Sequence, residues 1–136
     1  FNRKPLRRLC CGVFAGTTIY SPKWIKPATI DYVSSQIDVG PTILSLLNFS
    51  YRSSFFGQDI LSEGRFHQRA FMANYLTVGY MENGKIVELG PKRKARVVDA
   101  ISGKVLSVGP NEKEMIDETI SYYQTASDTI LQTSRR

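Results

Sequence analysis

The sequence predicts a small α/β or α+β domain: one modest sheet, mixed or antiparallel, built mainly from β-hairpins, with two main helices covering one of its faces. Three observations predict it. Two β-rich runs flank Asn83-Gly84, a dipeptide that favours the tight turns of hairpins, and a second pair flanks Ser102-Gly103. A short segment near residue 40 and a long one at the carboxyl end carry apolar residues at helical spacing. The chain has 136 residues, 42% of them hydrophobic and 22% charged, the size and balance of one foldable domain.

The first twelve residues are basic and irregular. Residues 13–20 are apolar and β-rich and read as a buried strand, bounded by Ser21-Pro22. A loop over 21–29 follows, bracketed by Pro22 and Pro27, with Trp24 and Ile25 expected to fold back onto the surface. Asp38 is placed to N-cap a helix over 39–47, with Pro41 in its first turn, where a missing N–H does no harm. Thr42 helps fix that turn. Val39, Ile43, Leu46 and Leu47 share one helical face, and Asn48 suits a left-handed helix end.

Residues 49–57 form a Ser- and aromatic-rich loop whose Phe49, Tyr51, Phe55 and Phe56 are expected to anchor the core, while Gly57 permits a tight bend. Residues 70–81 and 85–89 read as two strands, and residues 95–100 and 104–108 as a second hairpin. In the final helix Asn111 is the expected N-cap, with Glu114 as its partner three residues on. Met115, Ile116, Thr119, Ile120, Tyr123, Ile130 and Leu131 supply the apolar stripe.

The formal charge of +6 is unevenly placed. Residues 1–30 hold Arg3, Lys4, Arg7, Arg8, Lys23 and Lys26 and no acid, whereas beyond residue 30 basic and acidic side chains balance. The excess reads as a solvated arm rather than a nucleic-acid surface. No run of 18 apolar residues exists, so no transmembrane segment is expected. Cys10 and Cys11 are adjacent, which suits neither a disulfide nor the spacing of a zinc or redox motif.

Catalytic patterns are scarce. There is no G-x-S-x-G elbow, and a Ser-His-Asp triad would have to use His67, the one histidine, which sits in a polar loop and reads as solvent-exposed. The carboxylates fall into no metal-binding spacing, and the scattered glycines make no phosphate-binding fingerprint. The run Lys92-Arg93-Lys94 is the one candidate for holding an anion, such as a lipid headgroup or phosphate; its plainer reading is a solvated loop.

From Ile19 to the terminal helix the chain resembles a known group. The strings Ile19-Tyr20-Ser21-Pro22-Lys23 and Ser35-Gln36-Ile37-Asp38-Val39-Gly40-Pro41-Thr42-Ile43-Leu44-Ser45-Leu46-Leu47 are similar to the C-terminal region of sulfatase-type enzymes of the alkaline phosphatase superfamily. Asn48-Phe49-Ser50-Tyr51-Arg52-Ser53-Ser54-Phe55-Phe56-Gly57-Gln58-Asp59-Ile60-Leu61, Arg69-Ala70-Phe71-Met72-Ala73-Asn74-Tyr75 and Val78-Gly79-Tyr80 resemble the lipoteichoic acid synthase-like, phosphoglycerol-transferase branch.

The resemblance implies a parent anchored in the membrane of the bacterial envelope, with its catalytic domain outside the cytoplasmic membrane. Such enzymes use a threonine nucleophile and a divalent metal such as Mn or Mg, held by Asp, Glu and His. They transfer phosphoglycerol or related groups, or cleave phosphate or sulfate esters. Those residues lie upstream of the matched stretch, so no catalytic residue, metal ligand or cofactor carries over to this chain. Asp38, Pro41, Thr42, Gly57, Asn83 and Gly84 take structural roles.

In relatives, an apolar strand entered after a metal-binding histidine precedes the Ile19-Tyr20-Ser21-Pro22 position. Residues 1–17 depart from that pattern: they have no histidine, four basic residues among the first eight, and Cys10-Cys11. Residues 1–17 are therefore expected to be a basic segment foreign to the family, and 18–136 the C-terminal subdomain of an alkaline-phosphatase-like domain, in a truncated chain or gene remnant.

The expected function is the non-catalytic portion of a phosphoglycerol transferase or sulfatase-like enzyme, inactive alone, whose partner is the missing catalytic half. The alternative is a stand-alone interaction or regulatory module that binds a protein or self-associates. A weaker third reading has the basic amino-terminal end and Lys92–Lys94 binding nucleic acid or anionic lipid.

Overall fold

A computed structural model describes residues 17–62, 64 and 66–134. Among these, a one-turn 3-10 helix (Gln36–Asp38) leads into α1 (Val39–Leu46). Five strands follow: β1 (Arg69–Ala73), β2 (Val78–Glu82), β3 (Lys85–Gly90), β4 (Lys94–Asp99) and β5 (Val105–Leu106). The helix α2 (Pro110–Thr133) closes the order.

The strands form one sheet in sequence order, with every neighbouring pair antiparallel. The fold is thus α+β, and the mixed sheet allowed by the sequence is not what forms. Each connection from β1 to β5 is a short hairpin, and hairpins can join only antiparallel strands. The Asn83-Gly84 turn is as expected: Glu82 pairs with Lys85, and both turn residues have positive φ, 47° and 74°.

Alternation along the strands divides the sheet's side chains between two cores. Tyr80, Val87 and Val97 pack with Met115 of α2, flanked by Phe71, Leu89, Leu106, Ile116 and Tyr122. On the opposite face Met81, Ile86, Val98 and Ala100 pack with Val33, Ala70 and Met72. Only α2 of the two helices covers a sheet face with this core, and the other face meets the extended segment around Val33.

Several expected boundaries move. The run 70–81 is two strands, because Asn74 breaks it: its Oδ1 accepts the Leu76 N–H at 2.9 Å, the Thr77 N–H at 2.8 Å and the Thr77 hydroxyl at 2.9 Å. A side-chain carbonyl that serves backbone donors locally competes with the ladder. Residues 17–20 carry no strand, and 13–16, with the basic segment and both cysteines, lie outside the described residues.

Both helix starts also differ from expectation. Asp38 does occupy the N-cap position of α1, but with helical backbone and no side-chain cap hydrogen bond, because the helical path begins a turn earlier. Ser35, in extended conformation, caps that 3-10 turn, and its N–H donates to Asp38 Oδ2 at 2.8 Å. The other helix begins at Pro110 rather than after Asn111. Gly109 is its N-cap and donates its N–H to Glu112 Oε2 at 3.1 Å, while Lys85 Nζ holds Glu112 Oε1 at 2.6 Å. Proline's fixed φ and missing N–H suit this first position.

The α1 end is as the sequence predicts. Asn48 has φ 56°, Phe49 N–H donates to Leu44 O at 3.0 Å, and Asn48 N–H donates to Ser45 O at 2.9 Å. Its buried side is turned away from the expected stripe, however: Pro41 and Thr42 are buried and Val39 is half-buried, while Ile43 is 39%, Leu46 37% and Leu47 61% exposed. Phe49, Tyr51, Phe55 and Phe56 are exposed as well and do not anchor the core. Trp24 points to solvent at 87% exposure, and Ile25 beside it is half-buried. In α2 the stripe covers the sheet as far as Tyr123, whereas Ile130 and Leu131 are exposed. No helix of the described residues is long and apolar enough to cross a membrane.

Candidate functional site

Three polar groupings stand out. The first joins the segment before β1 to the sheet. Asp38 Oδ1 accepts the Gln58 N–H at 2.7 Å and lies 3.6 Å from Arg69 Nη1, and both side chains are almost wholly buried. Arg69 Nη2 donates to Phe56 O at 2.8 Å, and its guanidinium sits over the Phe71 ring, 4.7 Å from the centroid. Thr42 Oγ1 donates to Asp38 O at 2.7 Å and accepts the Ile60 N–H at 3.2 Å.

The chemistry of this hub is structural. Both oxygens of Asp38 are occupied by backbone donors, and Arg69 balances its charge. The Thr42 hydroxyl has donated its proton and accepted another, so it is bound into the scaffold rather than poised to attack. Gly57 belongs here too: a Cβ on it would lie 2.0 Å from Ile37 O, so the requirement is close backbone approach and not positive φ.

The second grouping surrounds Tyr80. His67 Nε2 lies 2.6 Å from Glu82 Oε1, with the histidine ring about half exposed. The Tyr80 hydroxyl lies 3.3 Å from Glu82 Oε2 and 3.2 Å from Glu118 Oε1. A phenol donates one proton, so it serves one of these carboxylates at a time. Burial, then the neighbouring carboxylates, push the Tyr80 phenol far above its ordinary value. It remains a neutral donor and does not act as a base.

The divalent metal implied by the family resemblance does not fit these residues. No group of three or more His, Cys, Asp or Glu side chains comes together among the described residues, and the oxygens of Asp38 are already taken. His67 is exposed, as the sequence predicts, but it is paired with Glu82.

The third grouping is the Lys92-Arg93-Lys94 run, at the turn from β3 to β4. Lys94 N–H reaches Pro91 O at 3.4 Å, and both central residues, Lys92 and Arg93, have φ 58°. None of the three enters an ion pair among the described residues, whereas the nearby Arg96 is held by Glu88. The three cations are exposed at a turn.

Arg69, Glu82, Glu118 and Tyr80 escaped the sequence reading because their partners are distant along the chain. One usable signal existed: Arg69 stands in an otherwise apolar strand, and a buried arginine requires an acid. Compared with family models, with curated proteins and with solved structures, the chain matches none.

Proposed function

We propose that this chain is a non-catalytic, C-terminal structural portion of a phosphoglycerol transferase or sulfatase-like domain of the alkaline phosphatase superfamily, without turnover of its own. The observation that carries this reading is the orientation of α1. A helix normally buries its apolar stripe. Here Asp38, Thr42 and Arg69 fix the helix by its polar side and turn Ile43, Leu46 and Leu47 outward, next to exposed Phe49, Tyr51 and Phe55. Exposed apolar side chains gathered on one helix and the segment after it mark an interface. In this reading it meets the catalytic half that supplies the threonine nucleophile and metal ligands.

The resemblance of residues 35–61 to the family supports the same assignment, as does the fully engaged state of the Asp38 and Thr42 side chains. A chromogenic phosphodiester offered to the chain with Mn²⁺ or Mg²⁺ tests it. The reading predicts no hydrolysis above the metal-only blank, and metal-dependent turnover that is lost in His67→Ala would overturn it.

The same outward face favours a second reading, a stand-alone module that pairs with a copy of itself. Light scattering separates the two: a concentration-dependent dimer abolished by Ile43→Ser with Leu47→Ser supports self-association.

A further inference from the structure

We propose that one end of the sheet, formed by the β1–β2 and β3–β4 turns, docks onto an anionic lipid bilayer. The register places the two turns side by side. Ala73 pairs with Val78 at the end of the first hairpin, Gly90 pairs with Lys94 at the end of the second, and Val78 pairs with Leu89 between them. They also lie close together, since a Cβ placed on Gly90 would come within 3.7 Å of Thr77 Cγ2.

Each turn contributes a different chemistry. The first carries Tyr75 and Leu76, exposed at 105% and 76%, the most outward pair of neighbouring large side chains in the sheet region. The second carries Lys92, Arg93 and Lys94, exposed and without ion pairs among the described residues. A tyrosine and an aliphatic side chain projecting beside a cationic cluster match the layering of a bilayer surface. The ring settles at headgroup depth, the leucine reaches the acyl boundary, and the cations meet anionic headgroups. Single-stranded nucleic acid fits less well, because it calls for several aromatic platforms among the cations, and among the described residues these two turns carry one ring, Tyr75.

The backbone provides an independent argument. At the opposite end of the sheet a turn with two positive-φ residues is made by Asn83-Gly84, which adopt that geometry easily. At this end the same geometry is imposed on Lys92 and Arg93, whose Cβ atoms make it costly. Strain retained at an exposed turn, where Asn-Gly would relieve it, points to a use for the two charges. This inference does not depend on the functional reading above.

Flotation of the full chain with vesicles tests it. Vesicles of equal parts phosphatidylglycerol and phosphatidylcholine should carry the protein, and phosphatidylcholine alone should not. Lys92→Asn with Arg93→Gly and Lys94→Gln keeps a favourable turn and should lower partitioning on the order of 100-fold, with no loss of thermal stability. Tyr75→Ser with Leu76→Ser, which leaves the charge intact, should lower it about tenfold. The proposal is overturned if the anionic vesicles do not carry the protein, or if the turn variant floats like the parent, which would assign binding to the basic residues 3–8. Loss in the charge variant with no change in the Tyr75/Leu76 variant would also overturn it, as adsorption of a polycation without docking.

Discussion

Asp38 and Arg69 face each other across the junction between the segment preceding β1 and the sheet, with Oδ1 and Nη1 3.6 Å apart and both side chains cut off from water. The separation is too long for a hydrogen bond, and Arg69 Nη1 has no other partner among the described residues. The pair is therefore an ionic contact that fixes where α1 sits rather than a tightly bonded one.

Removing one partner leaves a buried, uncompensated charge, which typically costs about 3–5 kcal/mol. Asp38→Ala should therefore lower the urea midpoint strongly, and it also deprives the Ser35 and Gln58 N–H groups of their acceptor. Replacing both partners, Asp38→Asn with Arg69→Met, should cost less than Asp38→Ala alone. Equal or greater loss in the double variant would show that the two residues do not act as a pair.

Gly57→Ala forces a Cβ to 2.0 Å from Ile37 O, and the obstacle is backbone rather than a flexible side chain. The loop has to move, so the loss should exceed about 1 kcal/mol. Gly40→Ala is the control, because a Cβ there meets nothing within 4 Å. Comparable midpoints for the two variants would contradict the close approach.

The alkaline limb of stability follows from two tyrosines. Burial raises the phenols of Tyr80 and Tyr123 above their ordinary value of 10.0. In the unfolded chain both ionise near pH 10, while the folded state keeps them protonated. Their contribution is therefore fully present below pH 10 and is lost as pH rises above it. Absorbance titration of the seven tyrosines should show two late ionisations coinciding with unfolding. In Tyr80→Phe the unfolding should shift to higher pH. All seven titrating near pH 10 in the folded protein would refute the assignment.

If the outward face of α1 is an interface, its apolar residues contribute little to the stability of the chain alone. Ile43→Ser, Leu46→Ser and Leu47→Ser should each change stability by less than about 0.5 kcal/mol. Burial of the same residues against this chain's own core would instead cost about 2–5 kcal/mol each. Chemical denaturation separates the two cases.

Where local chemistry decides structure, the sequence was readable. Asn83-Gly84 specified its turn, and Asn48 closed α1, because in each case the signal and its effect lie within a few residues. Asp38 reads as the cap of α1, whereas its contacts with Gln58 and Arg69 are ones that no local pattern connects to it. The break at Asn74 was hidden because residues 70–81 look continuous in hydrophobicity, and a single side-chain carbonyl decides the turn. The setting of α1 was equally hidden: its periodicity predicts a helix with one apolar face, and only tertiary contacts bury Pro41 and Thr42 instead. The His67–Glu82–Tyr80–Glu118 chain, too, exists only once the hairpin and α2 are brought together.

The proposed function holds that this chain is scaffolding, and among the described residues no set of three or more metal-ligating side chains comes together. Titration calorimetry with Mn²⁺ addresses it most directly, comparing the parent with His67→Ala and Glu82→Gln. The account predicts no saturable heat from the parent and no difference among the three proteins. Stoichiometric binding by the parent that disappears in either variant would contradict it.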